Sequence, residues 1–358
     1  MINRTQLAIL LVTGLGLLTH VSVLPMVLQT AHRGAWISVL AAGVALIGTT
    51  VALADASPER SVPWNIRIAR RLGWPVAAGA QILMGLVLLT LVAFTLRDTV
   101  DFTHTLILPL TPAWIIASLC MGVAVYAAAA GLPTLAIIAT ILLPWIVLFG
   151  FMVGIGNLAN KDYALLFPVS GHDLFGMGSG AVYVGAAFAE VLLAYLLVHN
   201  VSTPLGKRFF LIVGVVLIGI TLGPLCGAIA EFGPYEAARL HFPAYEQWRL
   251  LRFGVSVEHV DVFSIYQWLA GAFVRIAFLL RLLDDGLATL FHVPMRWTLP
   301  TATVLAIVFA SLPMSFADYQ WLQLRFYPAS LIVFCLLASL LLQSRIAGPR
   351  SAKAAAPT

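Results

Sequence analysis

The sequence predicts an all-α polytopic membrane protein with ten transmembrane helices, and three observations carry that prediction. Of 358 residues, 61% are hydrophobic and only 10% are charged, whereas a soluble chain carries roughly 25% charged residues. The mean hydropathy is +0.98. The apolar residues fall in repeated continuous runs of about 20, the length a helix needs to cross a hydrocarbon core. A membrane β-barrel would instead need alternating segments of about 10 residues, and the runs here do not alternate.

In chain order, the first span is Leu7–Thr30. It is long and no small-residue cleavage site follows it, so it reads as a retained span, not a signal peptide. It is punctuated by Thr13-Gly14-Leu15-Gly16, Thr19-His20-Val21-Ser22 and Pro25. The second span is Ala35–Ala54 and the third Trp74–Leu96, with Trp64 and Trp74 beside an arginine cluster as interfacial anchors. Ala113–Ala130 and Thr134–Leu158 follow. The sixth span, Ala181–Val198, is approached through Gly176-Met177-Gly178-Ser179-Gly180. The last four are Phe209–Ala230, Val262–Leu283, Leu299–Phe316 and Phe326–Leu342. Two connections are long, Ala159–Gly180 and Glu231–Asp261. The second mixes aromatic and charged residues and is expected to form short amphipathic helices on the outer face. Residues 1–346 form one membrane domain, and the low-complexity tail 347–358 is expected to be a disordered cytoplasmic extension.

The basic residues orient the chain. Twelve fall in one set of loops: Arg4; Arg60, Arg67, Arg70 and Arg71; Lys207 and Arg208; Arg281 and Arg296; Arg345, Arg350 and Lys353. Seven fall in the other: Arg33, Arg97, Lys161, Arg239, Arg249, Arg252 and Arg325. The richer set is therefore cytoplasmic, with both termini inside. The net charge of +5 and pI near 9.3 belong to these loops and do not point to nucleic acid. Cys120, Cys226 and Cys335 lie in apolar runs without metal-type spacing and are expected as free buried thiols. No HExxH, GxSxG, P-loop or paired-cysteine motif is present. The sequence predicts neither an enzyme nor a cofactor. Gly150–Gly154 and Gly223–Gly227 have GxxxG spacing and are expected to pack helices closely.

Glu190 stands in the middle of the sixth apolar run. A charge at the centre of a membrane helix costs about +2.5 to +3.5 kcal/mol on insertion scales, so it needs a partner, a proton or a function. Arg275, within the eighth span, is one partner; His20 is a further titratable group in the first. Asp55, Arg97 and Asp98 lie at span ends and are expected at the interface. Ten spans divide as five plus five, about 5–158 and 176–343, which puts spans one and six in corresponding places. Inverted-repeat transporters bind substrate at the midplane between discontinuous helices in those positions. The candidate ligand contacts are Gly14, Gly16, Thr19, Ser22, Tyr183, Gly185 and Glu190. For the glycines, packing and ligand-binding readings both stand.

At residues 241–283 the chain resembles the endospore germination permease family, the B-type subunits of nutrient germinant receptors. Pro243, Tyr245, Arg249 and Gly254 fit its outer-loop signature. Glu258-His259-Val260-Asp261 stands where the family has Glu-Arg-x-Glu. Trp268, Gly271, Phe273 and Arg275 follow, with Arg in place of the usual Lys. Thr5-Gln6-Leu7 and Ala35-Trp36-Ile37-Ser38 open the first two spans as in the family, and Glu190 matches the acid of its sixth-span segment. Family members often carry a glycine-rich break near Leu17–His20, whereas here the glycines come earlier. The resemblance implies the amino acid–polyamine–organocation superfamily and its LeuT-like five-plus-five fold with broken helices 1 and 6. It implies a multi-pass protein of the spore inner membrane that senses a small nutrient such as an amino acid beside A-type and C-type subunits. The ligand would bind between spans one, three, six and eight. A cation- or proton-coupled amino acid permease is the alternative with the same fold and site.

Overall fold

In a hydrocarbon solvent, backbone N–H and C=O groups must be satisfied within their own segment, and each expected apolar run is accordingly helical. The computed structural model describes residues 1–54, 61–169, 174–252 and 260–346. Asp55, Arg60, Gly254, Glu258, His259 and the tail 347–358 lie outside them. Among the described residues there is no strand, only an isolated bridge between Ile2 and Val201. The helices are α1 (Arg4–Leu18), α2 (Leu24–Ala31), α3 (Ala35–Leu53), α4 (Trp64–Leu72), α5 (Trp74–Leu106), α6 (Ala113–Ala129), α7 (Leu132–Gly156) and α8 (Leu174–Ala189). There follow α9 (Leu193–Leu196), α10 (Lys207–Phe232), α11 (Pro234–Ala237), α12 (Pro243–Leu250), α13 (Val262–Phe291), α14 (Met295–Ala310) and α15 (Phe316–Ile346). Among the described residues, seven stretches are long and apolar enough to cross a membrane. One of them, Arg4–Leu53, is broken at His32, where φ is 44° and ψ −118°. α6 and α14 are shorter apolar helices.

Helices one and six were expected to be broken, and the structure keeps both helical. Gly14 and Gly16 lie inside continuous α1. The departures are a π-helical turn, Thr19–Val23, and a 3₁₀ turn, Glu190–Leu192. A change of hydrogen-bond register redirects side chains without stranding backbone groups in an apolar interior.

Bundle packing separates core from rim. α13 packs on α5, α1, α6 and α7, while α8 packs on α3, α2 and α15. α7 turns most of its surface outward, with only Leu132, Leu135, Ala136 and Ala139 buried. Of the GxxxG glycines, Gly154 and Gly223 face open space and only the Gln267 amide lies near Gly150, whereas Gly227 is closely packed: a Cβ there would stand 2.5 Å from Gln247 Oε1 of α12. Other close approaches join different helices. A Cβ at Gly176 would collide with the Thr30 carbonyl oxygen of α2, and at Gly271 it would press 3.1 Å from Leu17 Cβ of α1. The cysteines are free, but Cys120 and Cys226 are half-buried and Cys335 is exposed. Trp74 is exposed, as an anchor would be, whereas Trp64 is buried.

The basic loops segregate by end. Ile2 N–H donates to Asn200 O and Arg4 N–H to Thr203 Oγ1, which ties the N-terminus to the connection before α10. Asn65 of α4 donates to Gly286 O near the end of α13. At the other end, Arg33 donates to the Phe167 and Pro168 carbonyls, and the His241 ring packs at a tilt against Phe316. There a buried Lys161–Glu231 pair, 3.5 Å, holds the connection after α7 against α10.

Candidate functional site

α13 positions Arg275 and the 3₁₀ turn after α8 positions Glu190, and the two form a bidentate pair. Arg275 Nη1 donates to Glu190 Oε2 at 2.8 Å and Nη2 to Oε1 at 2.9 Å. The side chains are 2% and 1% exposed, so neither charge reaches solvent and each depends on the other. Fork-to-carboxylate geometry is the strong form of this bond. Arg275 Nε donates to Thr95 Oγ1 of α5 at 3.0 Å, and Nη1 lies 3.4 Å from the Gly14 carbonyl of α1. One guanidinium therefore joins α1, α5, α8 and α13. Gly14 packs directly on α13: a Cβ there would stand in ordinary contact, 3.7 Å from Arg275 Cα and Cβ.

Beside this pair lies a small, partly open pocket lined by Leu17, Leu18, Val21, Ser22, Thr95, Asp98, Thr99, Trp268 and Arg275. The π turn brings Ser22 to its wall, where the Ser22 hydroxyl donates to Asp98 Oδ2. Asp98 Oδ1 accepts from Tyr319 OH at 2.7 Å and from Gln323 Nε2 at 3.3 Å, both on α15. On α13, Trp268 stands two turns before Arg275, about 10 Å along the axis. It stacks on Phe102 with centroids 3.9 Å apart and 10° between planes. Phe242 packs edge-on against Trp268, and Tyr245 against Phe102, so residues of α12 and its approach cover the aromatic side of the pocket.

Asp98 and Arg97 stand at the end of the apolar run, as expected from sequence, but they are buried by neighbouring helices. α5 continues ten residues beyond Leu96, and both side chains are buried inside the bundle. Arg97 is satisfied there: Nε donates to Asp101 Oδ2 at 2.8 Å, and its Nη groups donate to the carbonyls of Ala310, Leu312 and Met314 at the end of α14. The Asp101 pairing at i+4 and the receptive helix C-terminus let the helix run on.

The other sequence-selected residues are distributed unevenly. Ser22 and Arg275 line the pocket. Thr19 is buried and donates to Gly16 O at 3.0 Å, an oxygen the His20 ring also contacts. Tyr183 is half-buried and Gly185 faces Leu331 of α15 at 3.8 Å, away from the pocket. In the outer-loop signature, Pro243 starts α12, Tyr245 OH donates to Asp261 Oδ2 at 3.1 Å, and Arg249 pairs with Glu246 at 3.0 Å. Burial and the Asp261 contact raise the Tyr245 phenol above its usual pKa. Asp98, Thr95, Thr99, Trp268, Tyr319 and Gln323 were not selected as site residues from sequence. The available signal was spacing: Thr95 and Thr99, and Tyr319 and Gln323, recur at i+4 on single helix faces. Among the described residues, no three His, Cys, Asp or Glu side chains are grouped to hold a metal ion.

A family model described as "Spore germination protein" matches residues 2–319. Spore germination protein XB of Bacillus anthracis is 32% identical over 347 residues, 96% of this chain and 97% of that protein. Putative spore germination protein YfkT of Bacillus subtilis (strain 168) is 27% identical over 277 residues, 76% of this chain and 75% of that protein.

Proposed function

The chain belongs to the germination permease family, and from that premise we propose that it is the membrane-embedded nutrient-sensing subunit of a spore germinant receptor. Members of this family are membrane receptor- or transport-like proteins, not enzymes. In this reading ten spans form a five-plus-five inverted repeat in the spore inner membrane, with both termini cytoplasmic. A small germinant, an amino acid by resemblance, binds at the midplane among α1, α5, α8 and α13. Binding favours one packing of the bundle, and that change passes to A-type and C-type partner subunits.

The observation that carries the reading is the buried Glu190–Arg275 pair on the edge of a pocket. Four helices converge on one guanidinium, so a ligand that shifts any of them is felt by the others. Glu190→Gln keeps the shape and one acceptor oxygen while removing the charge. Spores carrying it are expected to accumulate the protein normally and to lose most of their nutrient response. A normal response at normal protein level would sink the assignment. Uptake by the isolated chain in vesicles separates sensing from the permease alternative: concentrative accumulation of an amino acid would favour the permease.

A further inference from the structure

We propose that the basic end of the bundle holds an anionic phospholipid, its phosphodiester headgroup between α4 and the α13–α14 connection and its acyl chains along α5 and α14; this goes beyond the sensing reading and does not depend on it. Position is the first argument. α4 closes with Arg70 and Arg71 in its last turn, and just beyond them Gly73, at φ 106°, turns the chain into α5 at Trp74. The Trp74 ring meets Phe291 at the end of α13 edge-on, with centroids 6.3 Å apart. Arg296, in the first turn of α14, follows Phe291 by five residues, at most about 18 Å of chain. α4 packs on α5 and α13, and α14 packs on the same two helices. The Trp74–Phe291 contact therefore lies between the arginines of α4 and the arginine of α14.

Charge is the second argument. Arg70 and Arg296 are exposed, and neither makes a hydrogen bond or ion pair among the described residues. Asp284 and Asp285 are the acids of this end among the described residues, and Arg281 holds both. At the opposite end the exposed Arg239 and Arg249 each face a glutamate, Glu236 and Glu246. The basic end thus carries guanidinium groups with no carboxylate to answer them. A guanidinium fork matches phosphate oxygens bidentately, and clustered arginines at a membrane surface draw anionic lipid.

The exposed apolar surface beside these arginines is the third and independent observation. Trp74 and Trp297, the latter next to Arg296 in sequence, are 45% and 64% exposed. Indoles at the ends of apolar helices sit at headgroup level. Beyond them α5 exposes Val76, Ile82 and Leu86, and α14 exposes Val304 and Val308. From Trp74 to Leu86 the helix advances about 18 Å, a little over half of the roughly 30 Å hydrocarbon core and so the depth of one acyl chain. A free phosphate would use only the arginines; a phospholipid uses the arginines, the indoles and the apolar faces.

The test uses the full-length chain in nanodiscs of equal phosphatidylcholine and phosphatidylglycerol, with retained lipid read by native mass spectrometry. An arginine at an anionic surface contributes about fivefold in binding. The wild-type protein is therefore expected to retain phosphatidylglycerol over phosphatidylcholine by about twenty-five-fold, a result independent of any variant's folding. Arg70→Gln and Arg296→Gln should each lower that preference about fivefold. Both should melt like the wild type in pure phosphatidylcholine, because both side chains are exposed and unpaired among the described residues. Arg239→Gln removes the same charge at the opposite end and should leave the preference unchanged. Inorganic phosphate added to phosphatidylcholine discs should not move the melting temperature, whereas phosphatidylglycerol should raise it. Equal retention of the two lipids by the wild type, or an equal loss in Arg239→Gln and Arg70→Gln, overturns the site. Stabilisation by inorganic phosphate that matches phosphatidylglycerol overturns the lipid in favour of a free anion. The nutrient response of Glu190→Gln spores is a separate readout, so failure here leaves the sensing reading standing.

Discussion

Replacing Arg275 by Met tests whether the buried pair sets the stability of the bundle. Methionine keeps a linear apolar stem but leaves Glu190 alone, because both of its hydrogen bonds come from Arg275 and no other partner stands among the described residues. Removing one member of a buried pair costs about 3–5 kcal/mol. The expected loss is of that size. Glu190→Gln strands a guanidinium that cannot shed its proton, so it should cost a similar amount, about 3 kcal/mol, eased by Thr95 Oγ1 and the nearby Gly14 carbonyl. In the double variant no charge is left unpaired, so the two losses should fall short of additivity by about 2 kcal/mol. Denaturant unfolding of the four proteins in nanodiscs measures the cycle. A cost below about 1 kcal/mol for Arg275→Met, or strict additivity, would refute the reasoning.

Two further perturbations probe the frame around the pocket. Gly176→Ala drives a Cβ into the Thr30 carbonyl, a backbone atom that cannot swing aside, and should cost roughly 3 kcal/mol; Gly178→Ala, with open space around it, should be neutral or mildly stabilising. Melting temperatures that fall equally for both would contradict the close α2–α8 approach. Arg97→Met strips donors from the Ala310, Leu312 and Met314 carbonyls and should cost roughly 2 kcal/mol. Proteolysis at the α14–α15 connection should speed up accordingly, and an unchanged cleavage rate would show that the cap is dispensable.

The helical positions were legible because the bilayer imposes its own rule on any chain that crosses it. Apolar runs from Leu7 to Leu342 have no acceptable backbone state except helix, so location and type of element follow locally. Glu190 was legible for the same reason: a carboxylate in such a run announces itself by its cost. The resemblance pointed to the Trp268–Arg275 segment, and that helix does run beside the pocket.

The burial of Asp98 and Arg97 was not legible, because sequence locates a span's end by where charges begin and does not say which other helices cover them. Arg97 could be carried inward only because Asp101 and the end of α14 receive it, and α14 lies more than 200 residues away along the chain. Span one carries three breaker segments in its sequence, Thr13–Gly16, Thr19–Ser22 and Pro25, and packing decided among them: the register change came at Thr19–Val23, where Ser22 finds Asp98 across 76 residues of sequence. Composition and periodicity determined that this chain is a bundle of membrane helices with an acid at its centre. Which cation answers that acid, which donors surround Asp98, and where the helices bend were decided by tertiary packing, because a buried polar group is placed by its partner in space and not by its neighbours in sequence.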